Sequence, residues 1–216
     1  MKKSSLTLRL LWALALLLVA AFATAQPSGK LLSWNLSALA SLPVFHEDRQ
    51  ADGKVEQLGA VAEAVAAASY GRPRSPREWS ALLLTIGYHE STFSLRIHRG
   101  ECNLQKRECD AAKVKGQGLV ARARSSWQLH SNGFTAPFWD KLHGVENTEV
   151  QARVAADALE RGYWTCAKSG VPWLQATING YAGRRCSDSS WPGLQQRIAT
   201  FNRLSRTPQP AAGGAS

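Results

Sequence analysis

The 216 residues predict a mainly α-helical domain, stabilised by disulfides and interrupted by one long irregular loop. Three observations lead there. Helix-start signals recur along the chain, with apolar residues at helical spacing behind them. No stretch alternates apolar and polar residues as a half-buried strand would, and no internal repeat is present. Four cysteines, an even number, follow an N-terminal leader that directs the chain to an oxidising compartment.

The leader comes first. Lys2, Lys3 and Arg9 form a basic start, Leu10 to Phe22 an apolar run, and Ala23-Thr24-Ala25 a small-residue cleavage site. The apolar run is too short for a comfortable membrane span, and polar Gln26-Pro27-Ser28-Gly29-Lys30 follows directly. An uncleaved N-terminal anchor is the alternative. Residues 1–25 are therefore read as a signal peptide, which places the mature protein in the periplasm or outside the cell, free of the membrane. Residues 26–54 form an N-terminal extension in which Leu31 to Lys54 is short helix or loop, broken by Pro43. The main domain occupies 55–205, and 206–216, ending in "RTPQPAAGGAS", has the composition of a disordered tail.

Within the domain, Val55 to Ser69 is alanine-rich with apolar residues at helical spacing, and Tyr70, Gly71 and Pro73 end it. Ser75-Pro76-Arg77-Glu78 is a strong start signal: a capping serine, proline at the first helical position, and a glutamate placed to close a capping box. That helix runs to about Ser91 and puts Glu90 in its last turn. There the terminal carbonyls disfavour negative charge, and with partial burial they favour the neutral acid, as a proton donor requires. Ser94 to Ser126 is irregular, basic and glycine-containing, and reads as a long loop or short hairpin. "SSWQLH" follows from Ser125 to His130. Thr148-Glu149-Val150-Gln151 is read as a second capping box opening a helix to about Ala167. Pro172-Trp173 starts another that ends near Gly183, and Pro192 opens the last, through about Leu204.

Four cysteines allow three pairings. Cys102–Cys109 and Cys166–Cys186 are favoured because each closes a short segment. No Cys-x-x-Cys and no histidine pair at ligand spacing is present, so no zinc site is expected. His89-Glu90 begins like the His-Glu-x-x-His metal motif, but Phe93 stands where the second histidine must be. A cysteine nucleophile served by His89, His130 or His143 is the remaining alternative for the thiols. The net charge is +10, of which Lys2, Lys3 and Arg9 carry three, leaving +7 on the mature chain. Such a chain is drawn to anionic polymers. Its arginines are scattered rather than set on one face among aromatics, which argues against nucleic acid as the partner.

Glu90-Ser91 with Phe93, Gln128 in "SSWQ", and "INGYAG" from Ile178 to Gly183 resemble the three ordered motifs of the lytic transglycosylase and goose-type lysozyme family. That pattern is Glu-Ser-x-Phe at a helix end, then Gly-Leu-Met-Gln, then Ala-Tyr-Asn-Ala-Gly. The resemblance spans roughly Val55 to Leu204. Ser125-Ser126-Trp127 stands where the family has Gly-Leu-Met, and Asn179-Gly180-Tyr181 where it has Ala-Tyr-Asn.

The resemblance implies a lysozyme-like fold that cleaves the β-1,4 bond between N-acetylmuramic acid and N-acetylglucosamine in peptidoglycan, as a monomer without metal or cofactor. Glu90 would be the catalytic acid. Gln128 and Ser91 would line the sugar groove, Trp127 would stack on a sugar, and Tyr181 would orient Glu90. Most glycosidases use two carboxylates, and Glu101, Glu108, Asp110 and Asp140 carry no mark that selects one. The transglycosylase branch needs only one, because the sugar's own 6-hydroxyl attacks and leaves a 1,6-anhydro end. A hydrolytic lysozyme and a non-catalytic wall-binding protein of the same fold are the alternatives.

Overall fold

The computed structural model describes residues 29–43, 51–105 and 107–209. The signal-peptide reading of 1–25 lies outside these residues, as does most of the predicted tail. The described chain is mainly helical, and seven α-helices, two small hairpins and short 3-10 turns follow one another along it.

Helix α1 (Gly29–Ala40) ends ahead of Pro43 and buries Leu31, Trp34, Ala38 and Leu39 in the common core. The extension is thus part of the folded unit, which begins before residue 55. Trp34 Nε1 donates to the Thr207 carbonyl at 3.0 Å, and Arg77 also donates to that carbonyl, so the first residues beyond 205 are docked on the domain. Helix α2 (Lys54–Ala68) follows the alanine-rich segment and packs between α1 and a later helix.

Helix α3 (Pro76–Ser91) starts as its sequence dictates. The Ser75 hydroxyl accepts from the Glu78 backbone N–H, and the Glu78 carboxylate accepts from the Ser75 N–H at 3.1 Å. Every residue from Trp79 to Gly87 is buried, so the helix is surrounded on all sides, which accounts for its unbroken apolar run. Two consecutive left-handed residues, Thr92 (φ 52°) and Phe93 (φ 54°), turn the chain sharply after it. The turn is held from outside: Lys54 Nζ and Gln57 Nε2 both donate to the Phe93 carbonyl.

The segment read as a long loop or short hairpin is structured, and a hairpin is among its elements. It contains a single-turn helix α4 (Leu95–Arg99) and a hairpin of β1 (Ala111–Val114) and β2 (Gly118–Ala121), paired Ala111 to Ala121 and Val114 to Gly118. Strands β3 (Ala123–Arg124) and β4 (Leu129–His130) form a second hairpin with Arg124 opposite Leu129, so Ser125–Gln128 is its four-residue tip. These strands are two to four residues long, too short for an alternating pattern to register.

Helix α5 (Thr148–Cys166) does not begin with the predicted capping box. A 3-10 turn at Val145–Asn147 runs straight into it, making Thr148 a helical residue whose hydroxyl donates back to the Val145 carbonyl at 2.6 Å; Gln151 Nε2 is taken by the Gly144 carbonyl. Helix α6 (Trp173–Tyr181) crosses α5 at a glycine pair. A β-carbon on Gly180 would lie 2.2 Å from the Gly162 carbonyl oxygen, so backbone meets backbone there. Helix α7 (Pro192–Ser205) closes the structure against α3 and α6. The disulfides are Cys102–Cys109, which braces the loop before β1, and Cys166–Cys186, which ties the end of α5 to the loop after α6. Among the described residues no helix is long and apolar enough to cross a membrane.

Candidate active site

Glu90 lies where the buried helix α3 surfaces, and the three sequence motifs converge around it. The Ser91 hydroxyl donates to the Ser126 carbonyl at 2.8 Å, linking the first motif to the second hairpin's tip. Trp127 Nε1 donates to the Leu83 carbonyl at 2.9 Å, and its own carbonyl accepts from the Tyr181 hydroxyl, linking that tip to α3 and α6. Buried His98 adds a further tie: Nδ1 meets Ser126 Oγ at 2.8 Å and Nε2 meets Thr148 Oγ1 at 2.9 Å. Burial lowers the His98 pKa to about 4, and nearby Lys54 acts in the same direction.

The roles of the predicted residues sort differently from expectation. Trp127 is wholly buried, edge-on to Phe93 with ring centroids 6.2 Å apart, and offers no face to a sugar. Gly87 makes room for this pair; a β-carbon there would lie 2.5 Å from the Phe93 ring. Ser91 is buried too, with its hydroxyl shared between the Gly87 and Ser126 carbonyls, so it positions the loop rather than lining the groove. Tyr181 does not bond to Glu90, because the Trp127 carbonyl takes its hydroxyl. It still faces the same cavity, and burial, with the Glu90 charge adding to it, raises its phenol well above the usual range. Gln128 lines the cavity, but its amide is largely engaged, donating to the Ser125 carbonyl at 3.2 Å and accepting from the Asp110 N–H at 3.4 Å.

Glu90 has a partner that the sequence did not announce. Arg197, on α7, places Nη2 at 2.6 Å from Oε1 of Glu90; the two side chains are 13% and 25% exposed. The helix-end carboxylate is therefore ion-paired, where the sequence predicted one facing only helix carbonyls. Arg197 is itself held: Nη1 donates to the Gly193 carbonyl at 3.1 Å, and the guanidinium stacks 5.2 Å from the Trp191 ring centroid. Trp191 Nε1 donates to Asn179 Oδ1 at 2.9 Å, and Asn179 Nδ2 donates to carbonyls at and just beyond the disulfide, those of Cys186 and Asp188 among them. A chain of contacts thus runs from Cys166–Cys186 to the carboxylate. His89, next to Glu90, also meets α7, with Nε2 2.9 Å from Thr200 Oγ1, and burial lowers its pKa to about 4, with Arg197 contributing.

Two cavities meet at Glu90. One, of about 1060 Å³, runs between the second hairpin, α5, α6 and α7; the other, of about 720 Å³, runs under the first hairpin. Glu90, Gln128 and His130 line both, so the carboxylate sits at the waist of an extended groove. The second cavity brings in Glu108 and Asp110. Glu108 is engaged with the Asn103 N–H at 2.8 Å, whereas Asp110 is half-exposed with His130 Nδ1 3.5 Å away. Glu101 and Asp140 line neither cavity. Among the described residues, the five non-glycine residues with positive φ are Thr92, Phe93, Arg107, Ser125 and Gln128. All five lie in the turn after Glu90 or in the loops flanking it. Such backbone conformations concentrate at functional sites because they are uphill by about 1–3 kcal/mol each and need surrounding structure to hold them.

The arrangement can deliver a carboxylate to the middle of a long, open groove that is suited to a polymer. Among the described residues no group of three or more His, Cys, Asp or Glu side chains is placed to hold a metal ion. Compared with protein-family models, curated proteins and solved structures, the chain matches none.

Proposed function

We propose that this protein is an exported, lysozyme-like enzyme that cleaves the β-1,4 bond between N-acetylmuramic acid and N-acetylglucosamine in peptidoglycan, as a lytic transglycosylase. The observation that carries the reading is Glu90 at the waist of the groove, with Gln128 and Tyr181 of the other two motifs facing the same space. The two disulfides fit an oxidising compartment, periplasmic or extracellular.

In this mechanism Glu90 gives a proton to the bridging O4 as the C1–O4 bond breaks. The same carboxylate then takes the proton from the 6-hydroxyl of the muramic residue as O6 bonds to C1. The proton returns to Glu90, no water is consumed, and a 1,6-anhydro end remains. Held by Gly193 and Trp191, Arg197 stays within reach to stabilise the carboxylate between the two steps.

Asp110 favours a second reading within the same class. It is an accessible carboxylate lining the same cavity as Glu90, and a hydrolytic lysozyme needs such a group to direct water. The test of the shared claim is solubilisation of purified sacculi by the wild type beside Glu90→Gln. General-acid loss lowers the rate by about 100-fold or more while the variant still binds sacculi. Equal rates would remove Glu90 from the chemistry, and binding without turnover by either protein would leave a wall-binding protein.

A further inference from the structure

The groove is electrically asymmetric about Glu90. The larger arm is lined by Arg161, Arg184 and Arg197, and Glu90 is the one carboxylate among the described residues lining it. The other arm offsets Arg107 with Glu108 and Asp110. The three guanidiniums are preset by stacking: Arg161 lies 4.8 Å from the Phe134 ring centroid, and Arg184 and Arg197 lie 4.9 and 5.2 Å from that of Trp191. Stacking occupies the flat face of a guanidinium and leaves its edge N–H donors free for bidentate contact with a planar anion. Arg197 spends that edge on Glu90 and Gly193. Arg184 meets Asp188 only at 3.9 Å, and Arg161 has no carboxylate partner among the described residues.

Glu90 compensates Arg197, so the uncompensated charge facing this cavity is that of Arg161 and Arg184, and an anion bound there relieves their repulsion. A neutral sugar chain gives them nothing to pair with. We propose that this arm is a carboxylate subsite: it selects glycan strands bearing an acidic group on the sugar whose C1–O4 bond lies at Glu90. Resting on the peptidoglycan reading, the ligand is the carboxylate carried by the muramic residue, on its lactyl arm or the peptide attached there. Chains of N-acetylglucosamine alone lack it. Arg161 and Arg184 are the specificity residues.

The test reads binding, so it does not depend on turnover. The disulfide-bonded protein is titrated by NMR, following the Trp191 indole N–H, with three single sugars that have no bond to cleave. These are N-acetylmuramic acid, its methyl ester and N-acetylglucosamine. The acid should bind about tenfold more tightly than the ester, and the Arg161→Gln/Arg184→Gln double variant, both positions being exposed, should erase the difference. Acid and ester binding alike, no binding by any of the three, or a preference that survives in the double variant would each overturn the proposal. So would tighter binding of a short single-stranded DNA than of the acid. A protein that prefers the acid but releases nothing from sacculi keeps the subsite and loses the enzyme reading; one that cleaves sacculi and ignores the carboxylate does the reverse.

Discussion

His98 couples acidity to stability at the junction of three elements. It is fully buried and bonded through both ring nitrogens, to Ser126 at the hairpin tip and to Thr148 at the start of α5. Its folded pKa, about 4, lies below the ordinary 6.5. The unfolded chain therefore binds a proton in the interval where the folded one does not, and stability rises with pH across it. The contribution is complete above about pH 6.5 and is lost as pH falls towards 4. Its full size is about 3 kcal/mol, most of which has gone by pH 4.5. Urea unfolding at about pH 7.5 and pH 4.5, for the wild type and His98→Gln, isolates this contribution. The half-buried His89 titrates in both proteins and cancels in the comparison. The variant should be weaker at neutral pH, because glutamine does not reproduce both hydrogen bonds. It should also lose about 2–3 kcal/mol less than the wild type between the two conditions. Equal losses would refute the claim that His98 is held neutral by its surroundings.

Other substitutions probe the packing that delivers Glu90. Gly180→Ala drives a methyl into the Gly162 backbone and should cost about 1–3 kcal/mol or more, read as a lower urea midpoint. Removing Cys166–Cys186 by paired serine substitution should cost about 3 kcal/mol from the closed loop. It should also loosen the Asn179–Trp191–Arg197 chain, visible as broadening of the Trp191 indole resonance. Trp127→Phe removes the indole donor that the Leu83 carbonyl accepts besides its helical one, leaves a void in the core, and should destabilise by about 1–3 kcal/mol; a sugar-stacking role would instead weaken glycan binding at unchanged stability.

The helices were legible where local chemistry determines them. Ser75, Pro76 and Glu78 satisfy and charge the first turn of α3 among themselves, and Pro192 presets α7, so a short window of sequence contains the cause. Thr148 misled because its hydroxyl had a competing acceptor, the Val145 carbonyl, in a 3-10 turn with no strong signature. Glu90 was legible as a carboxylate at the end of a buried run. Arg197 was not, since it is 107 residues away and the pairing exists only after α3 and α7 pack. Trp127 and Trp191 show the same limit. Composition marks both as large aromatics, but the turn at Ser125–Gln128 sends one into the core, while the segment between Cys186 and α7 leaves the other on the groove. Asp110 stood out from Glu101 and Asp140 only once the first hairpin folded over the second cavity.

The most direct test of the account is mass spectrometry of the soluble fragments that the protein releases from purified peptidoglycan, beside Glu90→Gln. Fragments ending in 1,6-anhydro-N-acetylmuramic acid, absent with the variant, are the predicted result. Reducing ends would replace the transglycosylase with a hydrolase and turn attention to Asp110, and no fragments from several wall types would contradict the claim that Glu90 cleaves glycan.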